Sequence, residues 1–96
     1  MRLLFIICEA SVDEKVEELL VRAGAPGFTR FTGAIGRGRN GPREGTPVWP
    51  GLNSLLMVGV PEEVVPSILE SIEQLSAERG GKLAAKVFSV PADEHC

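Results

Sequence analysis

Two strand-like segments with apolar residues at both odd and even positions do most to limit the folds open to this chain. They are Arg2–Ala10, in which Leu3 to Cys8 are all apolar, and Leu55–Val60. A strand covered on one side alternates apolar and polar residues, whereas a continuous apolar run is typical of a strand covered on both faces. A chain of 96 residues buries only about two-thirds of its unfolded surface and has a thin core. We therefore expect another subunit to provide one of the two covers.

A first helix is predicted after the first strand. Ser11 and Glu14 have the spacing of a capping box, in which a hydroxyl and a carboxylate bind free amide groups at a helix start. Gly24 can adopt the left-handed conformation that ends a helix. Between these signals, apolar residues recur with the period of a helix face, at Val12, Val16, Leu19, Leu20 and Ala23. The helix is expected to end at about Ala23.

A second helix is predicted after the Leu55–Val60 strand. Pro61 and the two glutamates after it suit a first turn, because proline needs no amide partner there and carboxylates favour the positive end of the helix dipole. Another apolar helix face follows, and Gly80–Gly81 end the helix after Arg79. The remaining strands are predicted at Phe28–Ile35 and Leu83–Val90.

The element order β, α, β, long loop, β, α, β predicts one α+β domain over residues 1–96. It fits the ferredoxin-like βαββαβ fold, in which two helices pack on one face of a four-stranded antiparallel sheet. The long loop is expected over residues 36–51, and a flexible polar tail over residues 91–96. Because this fold leaves the other sheet face bare, self-association is the simplest way to cover it.

The loop begins with a concentration of cations in a chain whose net charge is −3. Glycines let backbone amides approach an anion closely, and an arginine fork binds phosphate or carboxylate with two hydrogen bonds. The pattern therefore predicts a site for an anionic ligand, with a solvated, flexible hairpin tip as the alternative. The candidate ligand residues of the loop are Gly36, Arg37, Gly38 and Arg39.

The same loop carries the only tryptophan, Trp49, between two prolines. A rigid loop presents an aromatic side chain to a partner at low entropic cost, and tryptophan is a frequent interface anchor. The alternative is that Trp49 folds back over the core or a subunit boundary. Arg43 and Trp49 are the candidates for partner binding.

A second group of candidate anion ligands follows the second helix: Arg79, Gly80, Gly81, Lys82 and Lys86. The negative end of the helix dipole attracts Arg79 by itself, so ordinary capping is the alternative for that residue. Lys86 is more informative, because a lysine in an apolar strand belongs at an edge, at a boundary or in a ligand cleft.

The tail gathers a carboxylate, an imidazole and a thiol at Glu94, His95 and Cys96, all potential ligands of a soft divalent metal. Zinc-like sites usually take four ligands from two separated segments, so a metal site is the alternative function. Cys8 lies in an apolar strand and is expected to pack as a core residue. No candidate nucleophile has an evident base beside it in the sequence, so we assign no catalytic residue and expect no enzymatic activity.

Charge and hydropathy argue against two further classes of function. A net charge of −3 argues against general nucleic-acid binding, which needs many cations. No apolar segment approaches the ~20 residues that span a bilayer, so a cytoplasmic location with reduced cysteines is expected.

Four short motifs follow one another along the chain: Asp13-Glu14-Lys15-Val16, Gly27-Phe28-Thr29, Ile35-Gly36-Arg37 and Lys86-Val87-Phe88-Ser89-Val90. Their order resembles that of the P-II family of trimeric signalling proteins. The resemblance implies a homotrimer with a mobile effector loop after the second strand and nucleotide clefts between subunits near the base of that loop.

By this resemblance, Gly36, Arg37 and Lys86 lie at such a cleft. It also implies that the effector is an adenine nucleotide or another anionic metabolite and that the loop regulates a membrane or cytosolic protein. CutA-type divalent-ion tolerance proteins share this trimeric fold class, and they keep the metal alternative open.

Overall fold

The computed structural model describes residues 1–38, 41–43, 52–81, 83 and 85–96. Within these residues, six strands and two α-helices follow one another. They are β1 (Arg2–Glu9), α1 (Asp13–Arg22), β2 (Thr29–Ala34), β3 (Gly36–Gly38), β4 (Gly41–Arg43), β5 (Asn53–Val60), α2 (Val65–Glu78) and β6 (Ala85–Pro91). Short 3-10 turns, Ala10–Val12 and Glu62–Val64, precede the two helices.

Four of the strands form one antiparallel sheet in the order β2, β5, β1, β6. In the register of its central pairs, Phe5 of β1 lies opposite Met57 of β5 and Phe88 of β6. β2 and β5, which flank the loop, pair as an antiparallel hairpin. This topology confirms the predicted ferredoxin-like α+β fold.

The core lies between the sheet and the two helices. Alternate residues of β1 and β5 point toward the helices, and Leu4, Ile6 and Leu56 have no exposed surface. Both helices contribute apolar residues with helical spacing to the same cluster: Val16, Leu19 and Leu20 from α1, and Ile68, Ile72 and Leu75 from α2. Burial of these side chains supplies the main stabilisation of the subunit.

The opposite side of the sheet is the open face. Its apolar residues are Leu3, Phe5, Ile7, Phe31, Leu55, Met57, Phe88 and Val90, and the register adds Thr29, Gly59 and Lys86 to the same side. In the isolated chain Phe88 is 54% exposed and Phe31 50% exposed. Within a single chain, β1 and β5 therefore have one apolar face covered by the helices and one apolar face uncovered.

One local prediction was wrong. The Ser11 hydroxyl does not cap a helix but donates to Glu9 Oε2 at 3.4 Å, and neither the 3-10 turn nor α1 has a side-chain cap. At the beginning of the predicted long loop, β3 and β4 form a short hairpin. Within the described ranges, neither α1 nor α2 has the length and apolarity needed to cross a membrane.

Candidate functional site

Both stems of the long loop lie at the end of the sheet where β1 ends. The outgoing stem is the end of β2, where Ala34 lies opposite Asn53. The returning stem is the start of β5, where Asn53 lies opposite Glu9 and the Leu52 carbonyl accepts a hydrogen bond from the Ala10 amide at 2.8 Å. The sheet and the start of the first helical segment therefore fix the points where the loop leaves and returns.

Gly36 is the first residue of the loop hairpin. A Cβ atom built at this position would lie 2.8 Å from Asn53 Nδ2, so a side chain here would displace the Asn53 amide. Arg37 and Gly38 continue β3, and Arg43 pairs with Gly36 across the hairpin. The predicted residues Arg39 and Trp49 lie outside the described residues.

The second predicted group begins at the end of α2. Gly80 and Gly81 have positive φ values of 68° and 75°, and the Gly81 amide donates to the Ser76 carbonyl at 2.8 Å. The Arg79 amide donates to the same carbonyl at 3.0 Å. These contacts are those of an ordinary helix C-terminus, and they account for the glycines without a ligand. Lys82 lies outside the described residues.

Lys86 lies on edge strand β6, opposite Ile7 of β1, and is on the open face of the sheet. Its side chain is exposed. From Lys86, a row of paired residues crosses the open face through Ile7 and Leu55 to Phe31 on β2. The lysine is therefore at the margin of an apolar surface, one of the positions predicted for it.

The two predicted groups lie at the same end of the sheet but at opposite edges. β2, which leads to Gly36 and Arg37, is separated from β6 and Lys86 by β5 and β1. Three strand spacings place these edges about 14 Å apart. Within a single chain, two strands therefore separate the strand that leads into the loop from the strand that carries Lys86.

A polar network that was not predicted from the sequence lies on the helix side of β2 and β5. The Ser54 hydroxyl donates to Asp13 Oδ2 at 2.7 Å, and Arg30 Nη1 lies 3.4 Å from Asp13 Oδ1 and 2.9 Å from Glu17 Oε1. Ser54 is fully buried and Asp13 is 9% exposed. The sequence signals were a serine just before the apolar run of β5 and an arginine in β2.

Cys8 lies next to this network, opposite Ser54 in the β1–β5 register. Burial raises the pKa of the Cys8 thiol to about 11, the negative charges of Asp13 and Glu9 add to the rise, and Arg30 opposes it. The thiol is therefore neutral near pH 7. This agrees with the prediction that Cys8 packs as a core residue.

The tail carries the residues predicted for the alternative metal site. Glu94, His95 and Cys96 are all exposed, and within the described part of the chain no three His, Cys, Asp or Glu side chains are grouped so as to hold a metal ion.

Two surface depressions lie on the helical side of the molecule. One, of about 370 Å³, is between α1 and α2, and the other, of about 600 Å³, lies beside Phe28 and Val21. Neither is lined by a predicted ligand residue. The predicted anion site is therefore not one of these two depressions.

Comparison with known proteins decides the family. The sequence profile of the family described as Nitrogen regulatory protein P-II matches residues 1–95. This chain belongs to the P-II family. It is thus a member of a family of signalling proteins, and the resemblance noted in the sequence is confirmed. No curated protein matches this chain significantly.

Solved P-II-like structures share the fold of this family member. CPII from Thiomonas intermedia K12, in a structure with ADP and bicarbonate, is 29% identical with a TM-score of 0.75, covering 93% of this chain and 82% of CPII. A CPII structure with ADP, AMP and bicarbonate gives 27% identity and a TM-score of 0.72, covering 93% and 84%. A putative PII-like signalling protein from Thermus thermophilus is 26% identical with a TM-score of 0.64, covering 93% and 83%.

Proposed function

We propose that this P-II-family chain is a non-catalytic signalling protein that binds a small anionic effector in clefts between subunits. The arginine-rich loop, residues 36–51, would then regulate a partner protein according to the occupancy of the clefts. The observation that carries the proposal is the separation of Arg37 and Lys86 on opposite edges of one sheet. This separation supports a cleft to which each of two neighbouring subunits contributes one of the two cations.

The open face supports assembly. Phe5, Met57 and Phe88 form a continuous apolar row across three strands, and Phe31 and Val90 extend the surface to both edges. Exposure of a contiguous apolar surface of this kind is unfavourable in water, and a closed symmetric oligomer covers it without leaving a new sticky surface. Our proposal is a closed homotrimer, the assembly implied by the P-II family.

An adenine nucleotide is the effector that we propose. The CPII structures contain ADP, AMP and bicarbonate, so a P-II-like protein with the same fold accommodates these anions. In this chain, the backbone amides of Gly36 and Gly38 and the charges of Arg37 and Lys86 suit phosphate groups. Arg43 and Trp49 are further along the loop, where we propose that they contact the regulated protein.

Titration calorimetry with ADP, in the presence and absence of bicarbonate, tests the proposal. Arg37→Ala and Lys86→Ala should each weaken ADP binding by about 1.5–3 kcal/mol, because each removes a charge-assisted hydrogen bond to the ligand. Arg22→Ala is the matched control, since Arg22 is an exposed cation at the far end of α1 and should leave the affinity unchanged.

Two results would contradict the proposal. Unchanged ADP affinity in both Arg37→Ala and Lys86→Ala would remove these residues from the site. Absence of ADP, AMP and ATP binding by the unmodified protein would remove the nucleotide as its effector.

A further inference from the structure

The carboxylate of Asp13 contacts both stems of the arginine-rich loop. Its Oδ1 atom pairs with Arg30 on β2, the strand that leads into the loop, at 3.4 Å. Its Oδ2 atom accepts a hydrogen bond from Ser54 on β5, the strand that follows the loop, at 2.7 Å. We propose that Asp13 and Arg30 are positioning residues that set the placement of the loop hairpin relative to the sheet. This inference rests on the proposed function for its importance in signalling, but its test does not require a ligand.

The outgoing stem has few other attachments. β2 is an edge strand, and its pairing with β5 joins only Thr29, Arg30, Phe31 and Ala34 to partners. The register shifts between Phe31 and Ala34, where Gly33 has a φ of 71°. Such an irregularity interrupts the ladder and bends the strand just before the loop. The ion pairs of Arg30 with Asp13 and Glu17 therefore attach β2 to α1 near the place where its hydrogen bonding to β5 is interrupted.

The returning stem is held more firmly. Ser54 is fully buried, and its hydroxyl is satisfied by Asp13. Two residues earlier, the Leu52 carbonyl accepts the Ala10 amide at 2.8 Å, which attaches the same stem to the turn before α1. The start of α1 is therefore attached to β5, the returning stem. The ion pair of Asp13 with Arg30 attaches β2, the outgoing stem, to the same part of α1.

The geometry of Arg30 indicates which variants preserve the contact. A single nitrogen, Nη1, reaches both Asp13 and Glu17, so the pair does not depend on a two-nitrogen fork. A lysine ammonium is also a single donor group and keeps the charge. Arg30→Lys should therefore retain loop placement, whereas Arg30→Gln should not. Asp13→Asn keeps an oxygen acceptor for Ser54 but loses the charge that faces Arg30.

Amide hydrogen exchange measured by NMR on the free protein tests the inference. Arg30→Gln should accelerate exchange at the loop hairpin, residues 36–38, 41 and 43, by about fivefold, the change expected for a half-buried ion pair. Asp13→Asn should act in the same direction, and the double variant should show less than the sum of the two effects because both remove one contact. Arg30→Lys should restore slow exchange. Glu14→Gln is the control, since Glu14 is an exposed carboxylate on the same turn outside the network.

The pattern of exchange across the molecule decides the outcome. Faster exchange in the hairpin with unchanged rates in β1 and α2 supports the positioning role. Unchanged hairpin rates in both Arg30→Gln and Asp13→Asn would overturn it. Equal acceleration in α2 would also overturn it, because that result shows a general loss of stability. These measurements contain no nucleotide, so failure of ADP binding and failure of loop positioning are distinguishable.

Discussion

At the scale of single residues, Cys8 makes stability depend on pH. Burial raises the pKa of its thiol from 9.0 to about 11 in the folded chain. A group that holds its proton more tightly in the folded state contributes stability that is complete below its unfolded pKa and is lost as the pH rises through its folded pKa. The contribution of Cys8 is therefore complete below about pH 9 and disappears between pH 9 and 11.

Urea unfolding between pH 7 and 10.5 measures this effect. The free energy of unfolding should fall above pH 9 in the unmodified protein and fall less steeply in Cys8→Ala, in which this thiol is absent. The difference in slope between the two proteins is the relevant quantity, because it isolates the contribution of this thiol. Identical pH slopes would show that the Cys8 thiol has the same pKa in the folded and unfolded states.

At the scale of elements, the end of α1 depends on one glycine. Gly24 has a φ of 91°, its amide donates to the Val21 carbonyl at 3.1 Å, and the Ala25 amide donates to the Leu20 carbonyl at 3.0 Å. A residue with a Cβ atom is strained in this conformation even where space is free, and a Cβ atom at Gly24 would have no neighbour within 4 Å. The strain is therefore conformational and not steric.

Two glycine-to-alanine variants isolate the effect of the positive φ. Gly24→Ala should destabilise the chain by about 1 kcal/mol through left-handed strain, as measured by chemical unfolding. Gly27→Ala is the matched control, because Gly27 also has free space around it but does not have a positive φ. It should be neutral or slightly stabilising. Equal effects of the two substitutions would contradict the role of Gly24 in ending the helix.

The elements that the sequence predicted well are those with a hydrophobic pattern. The periodicity of Val16, Leu19 and Leu20 identified α1, because packing against the sheet requires that spacing. The β3–β4 hairpin has no such pattern, since pairing between Gly36–Gly38 and Gly41–Arg43 joins backbone groups of glycines, a proline and arginines. Its sequence therefore reads as a loop.

The candidate site was predictable only in part. Lys86 is a cation within an apolar strand, so its sequence context indicated an edge or boundary position, and the structure places it on edge strand β6. The Asp13 network was not predictable, because Ser54 is 41 residues away in the chain. Their contact depends on how α1 docks on the sheet, and no local pattern encodes that docking.

At the scale of the whole molecule, the effect of a new charge in β1 depends on which face of the sheet the substituted residue occupies. Phe5→Asp places a charge on the open face and should dissociate the proposed trimer. Ile6→Asp places it in a core position with no exposed surface and should unfold the subunit, since an unpaired buried charge costs several kcal/mol, of order 3–5.

Light scattering and circular dichroism distinguish these outcomes. Val21→Asp is the matched control, because Val21 is apolar and 65% exposed on the helical side, away from the open face. It should leave both mass and fold unchanged. A Phe5→Asp protein with the mass of the unmodified assembly would contradict assembly through the open face.

We propose that each effector site takes Arg37 from one subunit and Lys86 from its neighbour, and mixed assemblies test this directly. Arg37→Ala and Lys86→Ala chains with different affinity tags can be co-expressed, and mixed assemblies isolated on both tags. Every mixed closed trimer contains one cleft that joins the intact Arg37 of one chain to the intact Lys86 of the other, so calorimetry should recover about one high-affinity ADP site per mixed trimer. Mixing Arg37→Ala with the double variant is the control and should recover no such site. Failure of the complementary mixture to regain ADP affinity would contradict a site shared between subunits.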